Sequence, residues 1–214
     1  MRYLSYILDE KTPTYGDRNR FQIEKKSDIS KGDIANDSTI LTTVHIGTHI
    51  DLPYHFYENG QTIEDFSIEF WNFEKPIFLE IQPKEKLIFD EVIEKLENIE
   101  NIGQDILIVK TGICYFREEE RFWKENYGFS EKLYEYILDN FPKVRVLGFD
   151  SISISSFQNR LEGRKAHKKF LNPEKPILIL EDMDLRNISN LTKVQIFPLR
   201  IAKTDGLPCT VIGE

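Results

Sequence analysis

Apolar positions along this chain gather in short runs, not in one long periodic stretch. Residues 3–8, 76–81, 105–111, 144–149, 176–181, 194–201 and 209–212 are rich in Ile, Leu, Val, Phe or Tyr and are bounded by glycine, proline, asparagine or charged residues. Each of these runs predicts a strand. Residues 38–44 turn β-branched and predict another strand, one that leads straight into a histidine-rich segment. Three stretches carry helical signals instead. Asp90 is a candidate N-cap for a helix to about residue 97, and Ser130 for an amphipathic helix carrying Leu133, Tyr136, Ile137 and Phe141. The third predicted helix covers residues 163–170 and bears His167. Residues 17–38 are charged and small without a sustained period, which fits a hairpin or an excursion over the surface. Strands outnumber helices and alternate with them irregularly. The pattern predicts one α/β or α+β domain over residues 1–214 with a mixed sheet, not a doubly wound fold.

Between these elements, Asn59-Gly60 marks a turn, and Ile63, Phe66, Ile68, Phe70, Trp71 and Phe73 form a dense aromatic and aliphatic cluster. So many adjacent rings are expected in the core more than around a cavity.

Composition narrows the function classes. The chain of 214 residues has 40% hydrophobic and 30% charged residues, as a folded globular domain does. With 28 basic against 36 acidic residues the net charge is −8, so the attraction that dominates nucleic-acid binding is missing overall, and the basic patch at residues 164–169 reads as solvated helix surface. Neither a signal-peptide pattern nor an apolar run of about 18 residues occurs, so no membrane partner and a cytoplasmic location are expected. Cys114 and Cys209 are too few and too far apart for a disulfide framework or a thiolate metal site, and are expected to be buried, reduced packing residues.

Candidate chemistry concentrates in residues 44–56, Val-His-Ile-Gly-Thr-His-Ile-Asp-Leu-Pro-Tyr-His-Phe. Three of the four histidines, His45, His49 and His55, fall here with Asp51 among them. Imidazole and carboxylate together are transition-metal ligands. A straight strand would hold His45 and His49 about 13 Å apart, whereas donor atoms on one ion lie only about 3 to 3.5 Å apart. The chain must therefore curl between them. Gly47 permits such a curl, and Pro53 argues against a helix through the segment. The alternative, histidines that merely hydrogen-bond at a strand end, accounts poorly for this density. Farther along, the apolar strand ending at Ile177-Leu178-Ile179-Leu180 runs into Glu181-Asp182. A carboxylate at the end of a buried strand is costly unless paired or bound to a cation, which makes Glu181 a fellow ligand and sends Asp182 to the opposite face.

The run His45-Ile-Gly-Thr-His49-Ile-Asp51-Leu-Pro53-Tyr-His55 resembles the signature of the metal-dependent cyclase-like hydrolases, the family that includes bacterial kynurenine formamidase and isatin hydrolase. The likeness continues in order through Lys110-Thr-Gly, Gly148-Phe-Asp150-Ser151, Ala166-His167-Lys, Glu181-Asp-Met-Asp-Leu185 and Pro198-Leu-Arg200, so it spans nearly the whole chain. It implies a barrel-like mixed sheet flanked by helices and a site for two divalent ions, zinc or manganese. His45, His49 and Asp51 would bind the first ion, Asp51 would bridge, His167 and Glu181 would complete the second, and His55 would move the proton. The implied reaction is hydrolysis of a small non-peptide C–N bond, in an arylformamide or in a cyclic amide or imide, by a homodimer or larger homo-oligomer. A protein that keeps the fold and binds a metal or small carboxylate without turnover is the non-enzymatic alternative. Tyr15 stands where kynurenine formamidases place a substrate-contacting aromatic, usually tryptophan, but the proline that commonly follows is missing. The 17–38 loop is also longer than the family pattern. Both departures fall near the expected substrate mouth and bear on the substrate, not on the metal chemistry.

Overall fold

The computed structural model describes residues 1–18 and 20–214. Its strands are β1 (Arg2–Tyr3), β2 (Gln22–Ser27), β3 (Asp37–Leu41), β4 (His49–Asp51), β5 (Asn72–Phe73), β6 (Pro76–Glu80), β7 (Leu87–Ile88), β8 (Ile106–Lys110), β9 (Gly128–Phe129), β10 (Val146–Phe149), β11 (Leu178–Glu181), β12 (Val194–Pro198) and β13 (Gly206–Gly213). The helices are α1 (Asp90–Leu96), α2 (Arg121–Lys124), α3 (Lys132–Asn140) and α4 (Arg160–Phe170).

Nine strands share one sheet, in the order β5-β12-β13-β4-β11-β10-β8-β6, with β1 alongside β13. The first and last strands of that path are separated in the chain only by Glu74 and Lys75, so the sheet curls until its two edges approach. The result is a mixed, nearly closed, barrel-like sheet. Strands β6, β8, β10 and β11 run parallel, while β4, β13, β12 and β5 continue antiparallel. The parallel strands β8 and β10 are buried along their whole length. That explains why they read as unbroken apolar runs with no alternation: both faces are covered. On the outside, α3 buries Leu133, Tyr134 and Ile137, α4 buries Ala166, His167 and Phe170, and Tyr134 meets Phe170 edge-on at 5.6 Å between ring centroids. The apolar core is continuous from Leu4 to Val211. None of the helices among the described residues is long and apolar enough to cross a membrane.

Several boundaries differ from expectation. The strand expected over residues 3–8 shrinks to Arg2–Tyr3 plus a bridge from Ser5 to Met183, and Ile7 is exposed. The strand expected at 38–44 forms, but it ends at Leu41 and does not run into the histidine segment. This strand, β3, pairs only with β2 and is exposed throughout, so residues 22–41 form a hairpin standing on the surface; of the 17–38 stretch, residue 19 lies outside the described residues. β-branched residues favour extended backbone whether or not a core covers them. The final strand begins at Gly206 rather than 209 and passes through Pro208. Proline is tolerated there because Pro208 faces β12, which ends at Pro198, so the missing N–H falls beyond the ladder. The helices expected after Asp90 and Ser130 form within a residue of their expected starts, but neither residue is the cap: Asp90 is the first helical residue, and Ser130 precedes the cap Glu131 while its Oγ accepts from the Lys132 N–H. Cys114 and Cys209 are buried and unbridged.

Candidate metal centre and active site

Register assembles the centre of the site. β4 lies between β11 and β13, with His49 opposite Glu181 and Pro208, and Asp51 opposite Ile179 and Gly206. Residues two apart on a strand, and residues directly opposite across strands, share a face. His49, Asp51 and Glu181 therefore point to one side of the sheet, while Ile50 and Leu180 fill the core on the other. Gly47 turns the chain ahead of β4 with φ at +56°, the left-handed region that glycine adopts without strain. Its carbonyl accepts a hydrogen bond from His49 Nδ1 at 2.8 Å. A carbonyl can only accept, so Nδ1 holds the proton and Nε2 faces the carboxylates, 3.3 Å from Asp51 Oδ1 and 3.4 Å from Glu181 Oε2.

α4 brings in His167 on the same principle. Its Nδ1 donates to the Gly163 carbonyl at 2.9 Å, beside Ser155 Oγ at 3.2 Å, and its ring stacks on Phe56 with centroids 4.9 Å apart. The Nε2 atom is left 3.5 Å from Asp51 Oδ2 and 3.9 Å from Glu181 Oε1. The loop after β10 completes the wall. Asn126 donates to the carbonyls of Ser153 and Ser155 and accepts from the Phe157 N–H, while Glu181 Oε1 accepts from the Ile154 N–H at 2.7 Å.

Two further imidazoles share a carboxylate that sequence reasoning missed. Asp205 Oδ2 lies 2.8 Å from both His45 Nε2 and His55 Nδ1, and His45 Nδ1 lies 2.8 Å from Asp51 Oδ1. His45 packs against Gly206 so closely that a Cβ there would fall 2.5 Å from the ring, so only glycine admits this arrangement. Burial opposes a charge on His45, but Asp51 and Asp205 outweigh it and push its pKa up to about 10. The same contacts, with His55, hold Asp205 well below the usual carboxylate range. Burial would raise Asp51 too, yet His45, His167 and His49 keep it ionised. Glu181 goes the other way, raised first by burial and then by the neighbouring Asp51.

All seven residues singled out from the sequence line one cavity of about 360 Å³: Tyr15, His45, His49, Asp51, His55, His167 and Glu181. Tyr15 is half-buried on its wall, edge-on to Phe157 at 5.5 Å. The cluster at residues 63–73 lies elsewhere: Trp71 and Phe73 are in the core, and none of its rings lines this cavity. Asp182 follows the end of β11 with φ at +51°, so it leaves the regular pleat, and its carboxylate is gripped by Arg117 at 2.8 and 2.7 Å. Asp150, in the run Gly148-Phe-Asp150-Ser151, has a structural task. Its buried carboxylate accepts from the N–H groups of Thr111 and Gly112 and from the Thr111 hydroxyl. Only the Asp205-Gly206 pair, a turn-like dipeptide just before a β-prone run, could have signalled Asp205 in the sequence.

The donor set suits divalent cations. Donor atoms around one ion lie about 3 to 3.5 Å apart; His49 Nε2 stands at that spacing from both Asp51 Oδ1 and Glu181 Oε2, and the three buried residues each bring a ligand atom to within 4.8 Å of the others. His167, against the second oxygens of Asp51 and Glu181, extends the set toward a second ion. His45, Asp51 and His55 also bring one ligand atom each to within 4.8 Å of one another. In this arrangement both nitrogens of His45 rest on carboxylates, so it joins a cation only by releasing one of them.

Comparison with known proteins places this geometry. The chain is 26% identical over 212 residues to kynurenine formamidase of Geobacillus thermodenitrificans, a match covering 96% of this chain and 92% of that protein. It is 23% identical over 189 residues to cyclase-like protein 2 of Arabidopsis thaliana, covering 86% of this chain and 67% of that one. In three dimensions it shares the fold of isatin hydrolase A from Labrenzia aggregata, with a TM-score of 0.79 at 17% identity over 99% of this chain and 92% of the other. The Cyclase family model matches residues 3–156, which include the whole histidine segment and stop short of His167 and Glu181. With well over half its length under that model, the chain belongs to the Cyclase family.

Proposed function

We propose that this protein is a metal-dependent hydrolase of a small non-peptide amide, arylformamidase-like, with two divalent ions, zinc or manganese, held by His45, His49, Asp51, His167 and Glu181. One observation carries the reading: His49 and His167 each anchor Nδ1 on a backbone carbonyl and turn Nε2 toward the same two buried carboxylates. Metal-binding histidines are oriented in this way. The sequence relationship to a kynurenine formamidase supports the substrate class. Bound ions supply Lewis acidity toward a carbonyl oxygen and lower the pKa of water into the neutral range.

The remaining work falls to the chain itself. Asp205 accepts the Nδ1 proton of His55 and fixes the ring, leaving Nε2 free to take a proton and return it to the departing nitrogen, which is otherwise a poor leaving group. Tyr15, Ile46 and Ile152 supply apolar wall for the rest of the substrate. The partner in this reading is a small amide, and the exposed arm formed by β2 and β3, with Ile23, Ile34 and Ile40 on its surface, offers area for homo-oligomer assembly. The test is a panel of formamides, lactams and imides offered to zinc- and manganese-loaded protein. Cleavage of formamides supports the reading, cleavage confined to lactams or imides shifts it to a cyclic amidase, and metal binding with no turnover on any member would sink it in favour of a binding protein.

A further inference from the structure

The wall above the metal centre carries charge that amide hydrolysis does not require. Arg160, Arg164 and His167 stand at i, i+4 and i+7 on α4, one face of a helix. The helix that delivers His167 to the centre therefore raises two guanidinium groups along the cavity wall, about 4.5 and 10.5 Å farther along its axis. Arg18, just beyond Tyr15, lines the same cavity. Arg160 is held in place by the Phe157 ring at 4.3 Å and reaches the Tyr15 ring at 5.7 Å.

None of these three arginines has a carboxylate within 4.0 Å among the described residues. Their neighbours do: Arg20 pairs with Asp17, and Lys165 pairs with Glu162 on the same helix. In a chain with 36 acidic and 28 basic residues, three uncompensated guanidinium groups around one cavity run against the overall balance. Guanidinium is the side chain best matched to an oxyanion, which it meets with two parallel N–H donors.

We propose that the substrate carries an acidic group, a carboxylate or a phosphoryl, roughly 5 to 10 Å from the amide that is cut, and that Arg160 and Arg164 bind it with Arg18 beside them. The position of the cut bond rests on the hydrolase reading above; the anion subsite does not.

Formanilide, 4-formamidobenzoate and 4-formamidophenyl phosphate share a scissile bond and differ only in the para substituent. The metal-loaded enzyme is expected to favour one of the two anionic amides over formanilide by at least about tenfold in kcat/KM, and the better of the two identifies the acidic group. The double variant Arg160→Gln, Arg164→Gln, in which glutamine preserves helix propensity, should bring that ratio to about one. Circular dichroism verifies its fold. Binding is read separately by calorimetry with 4-aminobenzoate and 4-aminophenyl phosphate on metal-free protein, where the double variant should lose binding and added salt should weaken it. If no amide is cleaved but the anilines bind wild type and not the double variant, the hydrolase reading fails and the subsite stands. Equal kcat/KM for neutral and anionic amides, or unchanged aniline binding by the double variant, overturns the subsite.

Discussion

Asp205→Asn isolates the group that ties two imidazoles together. The change is nearly isosteric, but it replaces an acceptor-only carboxylate with an amide that can keep at most one of the two contacts through oxygen. Both contacts, to His45 Nε2 and His55 Nδ1, are 2.8 Å long. A hydrogen bond to a charged group contributes about 1.5 to 3 kcal/mol when well buried. Asp205 is 38% exposed, so solvent screening brings each contact nearer to about 1 kcal/mol. If the about 1 kcal/mol of His55 orientation from that contact is lost, kcat falls roughly 5-fold. The assay is steady-state kinetics on the best amide of the panel, with metal content and the pH profile measured on the same preparations. KM and metal content should hold. In a His55→Ala background, Asp205→Asn should cost little more, because its effect runs through His55. An equal further loss in that background would refute the coupling, metal loss would move the effect to His45, and full kcat with an unaltered pH profile would leave Asp205 without a role in turnover.

Saturated protein should hold about two divalent ions per protomer, and His167→Ala about one; metal analysis that never exceeds one ion in the wild type, or an unchanged count in the variant, would remove the dinuclear centre. His55→Ala should keep its metal and lose about 10² to 10⁴ in turnover, whereas loss of metal would make His55 a ligand, as its position beside His45 and Asp51 allows. Metal-free protein should melt at lower temperature as pH rises from about 6.5 through the raised His45 value near 10. A histidine whose folded pKa exceeds its unfolded one contributes stability that is complete below the unfolded value and lost above the folded one; a melting temperature flat across that window, with other groups of the range accounted for by a His45→Gln control, contradicts the contact. Trp71→Ala, at 8% exposure, should destabilise by roughly 3 to 5 kcal/mol in denaturant melts, while Tyr15→Ala should leave the melt nearly alone and raise KM or change substrate preference; the reverse pattern would move the pocket wall to the 63–73 cluster.

Much of this protein is written locally. Continuous apolar runs marked the parallel strands β8, β10 and β11 because burial on both faces leaves no polar alternation to mask them. The density of His45, His49, Asp51 and His55, with Gly47 to bend the chain, announced a ligand cluster because the turn and the short strand that shape it lie within the same few residues. Glu181 was legible as a carboxylate ending an apolar strand. Other features depend on what faces a residue, and no local pattern reports that. Residues 38–44 have the composition of a strand, and β3 forms there, but on the surface, since extended preference does not say which partner will cover it. Asp205 meets His55 across 150 positions and Arg160 meets the cavity through the pitch of α4. Both become functional candidates only because β4 is clasped between β11 and β13 and the sheet curls nearly closed, bringing the start of β13 and the face of α4 to the same cavity.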